Sequence, residues 1–456
     1  MKTKILSLTL IMGLIIMVSG CNWIDSNINI DPTAPADAPY STILPTTQVG
    51  MAYVFGGDFG RYTSLFTQHH FGSDRQHKNM YQFNLLESDI DNAWGTMYGG
   101  PLMDLSILIQ KTTENGDNHY SGIAHVLMAI GLGNITDLLG DIPYSEAFQG
   151  NDNLQPKFDS QQDIYAAIQA LLDKGISLLS SNEPGGFVPG PDDLIYGGDV
   201  EKWIKAAWSL KARYALHTKD YANALQFSAK GFENPGEDML LFFGANETQA
   251  HPFYQFMQQR GDVSMGVKLM ELMDQYKDPR IVTYTSQDSV YEVSLIPDGF
   301  YTQPDAPVPF MTVAELRFIQ AECLLNTGQN HLAYLAYQAG IKANFLYYGF
   351  DEQKADEYIA STPVDVGEDN LTVSDVINQK YIAMYMQQET WTDWRRTGLP
   401  KLDLPKGAVV NEVVRRMIYP QSERLYNGTN LRAVPDYNPD KYAFMVSRMW
   451  WDRLWQ

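Results

Sequence analysis

The 456-residue sequence contains only two cysteines and far fewer basic than acidic residues. Two cysteines cannot form a framework of disulfides, so the fold must depend on a hydrophobic core, which a chain of this length can build. With 33 lysines and arginines against 54 aspartates and glutamates, the formal net charge is −21. This acidic balance argues against nucleic acid as a partner, because binding phosphates requires a basic surface.

Long apolar stretches are also scarce, and the clearest one is short. Two lysines precede an apolar stretch at residues 5–18, which is shorter than the roughly 20 residues that a membrane-spanning helix needs. Small residues then lead to Cys21, as in bacterial lipoprotein signals, where the cysteine thiol receives a diacylglyceryl group. We predict a signal peptide at residues 1–20 and lipidation of Cys21. An ordinary secretory signal with a chance cysteine is the alternative.

The second cysteine and the segment after the signal complete this picture. If Cys21 is acylated, Cys323 has no disulfide partner within the chain, and its apolar helical surroundings predict a buried thiol. Residues 21–45 are rich in Asn, Asp, Pro and Ala and lack helical periodicity, which predicts a tether. We expect residues 46–456 to form a single domain, in which no stretch looks apolar enough to span a bilayer.

Amphipathic helical patterns dominate the rest of the chain. The clearest covers residues 160–179, where Ser160 and Asp163 form a capping pair ahead of apolar residues that share one face. Strand signals are few, the best being residues 239–243 and 290–296. Further helices are predicted at 87–112, 117–138, 201–218, 220–232, 264–276, 312–327, 330–346 and 372–388.

Pairs of these helices have the spacing of small and aromatic residues that is typical of tetratricopeptide hairpins. The pairs are 201–218 with 220–232, and 312–327 with 330–346. The pattern is degenerate, so by itself it neither favours nor excludes a repeat scaffold.

Six strings, in this order, then carry a family resemblance. They are LLGDIPYSEAF (138–148), PKFDSQQDIY (156–165), YGGDVEKWIKAAWSLKARYAL (196–216), MTVAELRFIQAECLL (311–325), ETWTDWRRTGLPKL (389–402) and RMIYPQSERLYN (416–427). With the lipoprotein cysteine and the tether, they resemble the SusD/RagB family, SusD-like subgroup, over nearly the whole chain. Within the fifth string, Arg395 and Arg396 are predicted to pair with carboxylates or carbonyls rather than to bind an anion.

The resemblance implies both a fold and a function. The fold is mostly α, with tetratricopeptide-like helical hairpins that support an irregular, loop-rich ligand-binding part, and with few short strands. Members are lipid-anchored at the surface of the outer membrane, where they capture oligosaccharides, or in some branches peptides. They deliver the ligand to a partner SusC-type TonB-dependent transporter. No cofactor is expected.

A ligand site is predicted where aromatic and polar residues are interleaved, because sugars need flat rings beside hydrogen-bonding groups. Aromatic residues make up 12% of the chain, and residues 53–100 and 297–305 are rich in them. Burial in the core is an equally open interpretation for each candidate. The candidates are Phe71, Arg75, Tyr81, Asn84, Trp94, Tyr98, Phe300 and Tyr301.

Enzyme signatures are lacking in the sequence. We find no HExxH motif, nucleophile elbow or P-loop. The pair His69-His70 has no third ligand at metal spacing, so we predict surface or loop histidines and no metal site. We therefore predict a protein that is not an enzyme. A surface glycoside hydrolase is the alternative from another class, because 54 acidic residues always offer some carboxylate pair.

Overall fold

The computed structural model describes residues 38–285 and 299–456. Cys21 and the predicted strand at 290–296 lie outside the described residues. The described part is mostly helical, and residues 40–456 form one compact unit. This confirms the predicted mostly α fold with few short strands.

Seven helices form the first part of this unit. The first begins at Tyr40, so residues 40–45 of the predicted tether are helical. The single helix predicted at 87–112 is in fact two helices, because Pro101, which has no N–H to donate, starts a new one after Gly100. The helices are α1 (Tyr40–Val54), α2 (Gly60–Phe66), α3 (Arg75–Tyr81), α4 (Ser88–Gly99), α5 (Pro101–Asn115), α6 (Asn118–Leu139) and α7 (Gln161–Leu179).

Helix α7 confirms the capping prediction. The Ser160 hydroxyl accepts a hydrogen bond from the backbone N–H of Asp163 at 3.2 Å, which satisfies one of the free donors of the first turn. Helices α6 and α7 pack closely at Gly122, where a Cβ atom would lie 2.6 Å from Leu179 Cγ. A larger residue at this position would push the two helices apart.

The second part contains mostly short helices, which alternate with irregular segments. They are α8 (Val200–His217), α9 (Tyr221–Ser228), α10 (Pro252–Gln259), α11 (Val267–Tyr276), α12 (Ile281–Tyr284), α13 (Val313–Asn326), α14 (Asn330–Tyr347), α15 (Glu352–Ile359), α16 (Val373–Ala383), α17 (Glu389–Thr397), α18 (Gln421–Tyr426), α19 (Gly428–Ala433) and α20 (Lys441–Val446).

Two antiparallel pairs of short strands complete the described fold. The strands are β1 (His70–Gly72), β2 (Met239–Phe242), β3 (Val263–Met265) and β4 (Pro307–Met311), of which β1 pairs with β3 and β2 with β4. The helix predicted from residue 264 begins only at Val267, because the preceding residues belong to β3. The helix predicted at 372–388 ends at Ala383, shortly before Met386 takes a positive φ of 63°.

Consecutive helices form packed hairpins, as the family resemblance implied and as the degenerate spacing alone left open. Helices α13 and α14 meet where a Cβ on Gly340 would lie 3.0 Å from the Phe318 ring. Cys323 on α13 is buried and free, as predicted, and burial raises the pKa of its thiol. The inner faces of the hairpins therefore form part of the core.

Helix α6 is long and apolar enough to cross a membrane by length and composition alone, so the prediction that residues 46–456 contain no such stretch is wrong. Its most hydrophobic window is 94% buried inside the protein. The helix is therefore a core element, around which α5 and α7 pack.

Candidate functional site

Ten side chains form a buried cluster between helices, which we call the ionic network. Each of them is at most 8% exposed. Most belong to the strings that carry the family resemblance or directly adjoin one. The members are Asp137, Arg213, His217, Glu315, Glu322, Lys380, Glu389, Asp393, Arg395 and Arg396.

Ion pairs join the helices through this network. Arg213 donates two hydrogen bonds of 2.6 Å to the Glu315 carboxylate. Arg396 donates to both oxygens of Glu322, at 2.8 and 3.0 Å, and Asp393 lies 2.7 Å from the Lys380 ammonium. Paired geometry of this kind is what allows charges to be buried.

Arg395 and Arg396 have the structural role that the sequence predicts. Arg395 donates to the backbone carbonyls of Asp137 and Arg415, and Arg396 also donates to the Asp393 carboxylate at 2.5 Å. Both guanidinium groups are buried. Neither is available to a ligand in solution.

Asp137, His217 and Glu389 bring their polar atoms within 4.8 Å of one another, a spacing that metal ligands also show. His217 Nε2 lies 2.7 Å from Glu389 Oε1, and the Tyr165 hydroxyl contacts both His217 Nδ1 and Asp137. A cation, Arg213, lies 4.0 Å from Glu389. Because these atoms already bond to one another beside a positive charge, we assign the group to the scaffold.

An accessible group of polar and aromatic side chains lies elsewhere, where α1 passes into α2. The two helices are joined by a π-helical turn, Phe55–Phe59, in which Gly57 leaves helical geometry. Asp58 forms an ion pair with Arg61 and accepts a 2.8 Å hydrogen bond from the Asn92 side chain on α4. The kinked turn therefore presents a carboxylate, a guanidinium and an amide together.

Phe256 on α10 brings an aromatic ring to the same place. The guanidinium carbon of Arg61 lies 4.5 Å from the centre of the half-buried Phe256 ring, within cation–π range. We call Asp58, Arg61, Asn92 and Phe256 the Arg61 surface. It combines a ring with hydrogen-bonding groups of both kinds, the combination that sugar ligands require.

A buried acid supports the Arg61 surface from behind. Asp262, just before β3, is fully buried and lies 3.0 Å from Arg75 Nε and 3.5 Å from His77 Nδ1. The His77 ring packs 4.7 Å from Phe256. Burial first, and then the nearby Arg61, lower the pKa of His77 to about 4, so this imidazole is neutral at physiological pH.

A shallow cleft follows the other side of α10, and we call it the α10 cleft. It has a volume of about 640 Å³. One aromatic ring and several amide side chains line it. Its residues are Glu247, Thr248, Tyr254, Gln255, Gln258 and Gln259.

Of the eight predicted ligand residues, Arg75 is linked to the Arg61 surface through Asp262 and His77. Phe71 and Tyr81 pack edge to face at 4.9 Å and are half-buried. Asn84 accepts hydrogen bonds from Lys441 and Tyr442 near the C-terminus. The structure therefore spreads these candidates over several places.

The remaining four form two aromatic clusters. Trp94 is buried and donates to Glu423 at 3.2 Å, and its ring lies 4.2 Å from that of Tyr98, whose hydroxyl bonds the Pro143 carbonyl. Phe300 and the buried Tyr301 pack on each other at 5.1 Å. Their rings also contact Tyr347 and Tyr348.

The prediction that His69 and His70 are surface or loop residues is wrong. Both are fully buried. His69 Nε2 lies 3.0 Å from the Tyr381 carbonyl and His70 Nε2 2.7 Å from the Tyr385 hydroxyl, so each ring has a structural partner.

Asp58, Arg61, Asn92 and Phe256 were not among the predicted site residues. The first three lie inside the stretch 53–100 that was singled out, but their types alone did not distinguish them. Phe256 lies in PFYQFMQQR, where rings and glutamines alternate, and this mixture was the available signal.

The fold and this surface define a helical scaffold protein that presents charged and aromatic side chains outside a motif-rich core. A family described as "SusD-like: starch-binding associating with outer membrane" matches residues 32–420. The chain therefore belongs to the SusD-like family. No curated protein is similar enough in sequence to be matched.

Solved structures share the fold. A SusD/RagB family protein from Bacteroides thetaiotaomicron superposes with a TM-score of 0.79 at 23% identity, over 91% of this chain and 99% of that one. A chitin-binding SusD homologue from Flavobacterium johnsoniae gives 0.73 at 22%, over 89% and 98%. A SusD homologue from Bacteroides fragilis gives 0.75 at 20%, over 91% and 99%. At these identities the likeness establishes the fold alone.

Proposed function

We propose that this protein captures oligosaccharides at the cell surface and delivers them to a SusC-type TonB-dependent outer-membrane transporter. The observation that carries the proposal is membership of a family described as starch-binding and outer-membrane-associated, over residues 32–420. The chitin-binding relative adds a second carbohydrate ligand among proteins of this fold.

The Arg61 surface supplies the chemistry for such a ligand. The part of the half-buried Phe256 ring that Arg61 and His77 leave uncovered offers an apolar surface to the C–H groups of a sugar ring. Asp58 accepts hydrogen bonds from hydroxyl groups, while Arg61 and Asn92 donate them. The ion pair between Asp58 and Arg61 holds these groups in place before the ligand arrives, which lowers the entropy cost of binding.

The lipid anchor belongs to the same proposal. Acylation of Cys21 would place the domain at the outer membrane with residues 21–39 as the spacer, since α1 begins at Tyr40. Mass spectrometry of the mature protein tests the anchor, and co-purification with a barrel protein from outer membranes tests the transporter.

Peptides are the second candidate ligand, because the α10 cleft favours them. Gln255, Gln258 and Gln259 line the cleft beside the single ring of Tyr254. Amide side chains pair well with the backbone groups of an extended peptide, whereas sugar sites usually offer more stacking surface.

Hydrolysis is not part of the proposal. On the Arg61 surface and directly behind it, Asp58 and Asp262 are each paired with an arginine. A glycosidase needs a pair of carboxyl groups free to flank the bond that it cleaves, whereas these two carboxylates are held in ion pairs.

Calorimetry with matched panels of oligosaccharides and oligopeptides tests the proposal. We expect binding to oligosaccharides, and we expect Phe256→Ala to weaken it about tenfold through the loss of ring contact. Phe187→Ala, which removes an exposed ring that packs on Tyr40, is the matched control and should bind as the wild type does. Binding of peptides alone would favour the second candidate, and an unchanged affinity for Phe256→Ala would exclude the Arg61 surface.

A further inference from the structure

The ionic network holds one more carboxylate than it holds cations. Four cations face five carboxylates, all at most 8% exposed, which leaves one negative charge in excess if His217 is neutral. An uncompensated buried charge is costly, so this excess requires an explanation. The cations are Arg213, Lys380, Arg395 and Arg396, and the carboxylates are Asp137, Glu315, Glu322, Glu389 and Asp393.

Glu389 has no lysine or arginine within hydrogen-bond distance, although Arg213 lies beside it. Arg213 pairs with Glu315, Arg396 pairs with Glu322, and Lys380 pairs with Asp393. Arg395 is close enough to Asp137 to act on it electrostatically. By contrast, Glu389 Oε2 lies 4.0 Å from Arg213 Nε, and Oε1 lies 2.7 Å from His217 Nε2.

A count of the protons available for hydrogen bonds points independently to the same residues. Three contacts run in a chain from Asp137 through the Tyr165 hydroxyl and the His217 ring to Glu389. A neutral imidazole and a phenol supply only two protons for these three contacts. One more proton is needed to make every contact a hydrogen bond.

We propose that His217 and Glu389 share this additional proton, which makes the pair a buried proton-binding site that neutralises the ionic network. The proton either completes an imidazolium that donates to both sides, or makes Glu389 a carboxylic acid that donates to His217. In both arrangements the three contacts are filled and the excess charge disappears.

Other groups that face the pair do not supply the missing charge. Burial raises the pKa of Tyr165 and of Tyr214, so both phenols stay neutral. At the edge of the network, Arg415 and Asp452 pair with each other at 2.6 Å, and Arg448, which also contacts Asp452, is about one-third exposed to solvent. Burial also raises the pKa of Asp137, but its carboxylate accepts a hydrogen bond from the Tyr165 hydroxyl, which favours the ionised form. The balance therefore rests on the His217–Glu389 pair.

A cavity gives this proton a route of exchange. It has a volume of about 40 Å³, and Asp137, Arg213 and Glu389 are among its lining residues. A water molecule needs about 10–15 Å³ of such volume, so this cavity, whose walls are partly polar, has room for about three molecules. Burial raises the pKa of Glu389 to about 7 and lowers that of His217 to about 3, which favours Glu389 as the carrier.

The sign of the pH dependence follows from the raised pKa of Glu389. Between its ordinary value of 4.5 and about 7, the folded protein holds a proton that the unfolded chain has released. The stabilisation is therefore fully present below pH 4.5 and is lost as the pH rises through 7. Within this window the release of this proton raises the unfolding constant by up to about tenfold for each pH unit of increase.

Chemical denaturation of the full chain across this pH range tests the proposal. Glu389→Gln keeps a neutral, hydrogen-bonding side chain, so the ratio of the wild-type unfolding constant to the variant's should rise up to about tenfold per pH unit between pH 5 and 7. Glu357→Gln makes the same change at an exposed site and should run parallel to the wild type. Parallel curves for Glu389→Gln would overturn the proposal.

A second measurement needs no variant. Infrared difference spectra of the wild type between about pH 6 and 8.5, with and without isotope-labelled histidine, should show a buried carboxylic acid or imidazolium that loses its proton. Finding neither would also overturn the proposal. Because the ligand plays no part in either test, the result is independent of the proposed function.

Discussion

The ionic network and the Arg61 surface both join arginines to carboxylates, but they differ in burial and in origin. The network is at most 8% exposed, whereas the Arg61 and Asp58 side chains keep 12% and 14% of their surface in solvent. Network residues such as Arg213, Glu322 and Arg396 belong to the strings that resemble the family, and no residue of the Arg61 surface does. The residues of the recognisable motifs therefore form the scaffold, while the residues of the accessible surface belong to no motif.

The largest expected effect comes from breaking the network. Arg396→Ala leaves Glu322 and Asp393 buried without their shared cation, which should cost about 3–5 kcal/mol of stability. Chemical denaturation measures it. Arg432→Ala, on an exposed arginine of α19, is the control and should change stability by less than about 0.5 kcal/mol.

The assignment of the ionic network to the scaffold is wrong if Arg396→Ala is as stable as the control. It also fails if the folded variant loses its ligand as completely as a change on the Arg61 surface does. In that event the network would take part in binding and would not be scaffold alone.

Much of the fold follows from local signals in the sequence. Helix α7 begins within one residue of its predicted start, because Ser160 and Asp163 and the apolar periodicity all lie within a few turns. The strand pair β1–β3 was missed because His70 and Met265 are distant in sequence, and three-residue strands carry almost no pattern. Local structure can therefore be predicted from the sequence, whereas long-range strand pairing cannot.

The candidate site could not be predicted for the same reason. Arg61 and Phe256 meet only after the kinked turn at Gly57 and helix α10 are both in place. The predicted aromatic residues, such as Trp94 and Tyr98, are of a type equally suited to a core and to a ligand surface. Composition indicates that residues 53–100 are rich in candidate residues, but tertiary packing determines which of them are buried and which are exposed.

An intermediate effect is expected on the Arg61 surface. Arg61→Ala removes charged hydrogen-bond donors, so affinity for the oligosaccharide should fall about 10- to 100-fold. Stability should fall by about 1–3 kcal/mol, because the pair with Asp58 is mostly buried but Asp58 keeps its hydrogen bond from Asn92. Calorimetry and denaturation of the same sample measure the two effects.

Arg424→Ala is the matched control for this prediction. Arg424 is also paired with an acid, Glu87, and is more exposed than Arg61. It should leave affinity unchanged. Equal losses of affinity in both variants would show that general surface charge, and not the Arg61 surface, governs binding.

The smallest expected effect concerns Trp94, which the sequence offered as a ligand residue and the structure buries. Trp94→Phe removes the hydrogen bond from the indole N–H to Glu423 while keeping an aromatic ring, so stability should fall by about 1 kcal/mol. Affinity should stay at the wild-type value, because only 5% of the residue is exposed. Denaturation and calorimetry again report the two quantities separately. A loss of affinity without a loss of stability would reverse the assignment, and would extend the binding surface from Arg61 along α4 to the Trp94–Tyr98 pair.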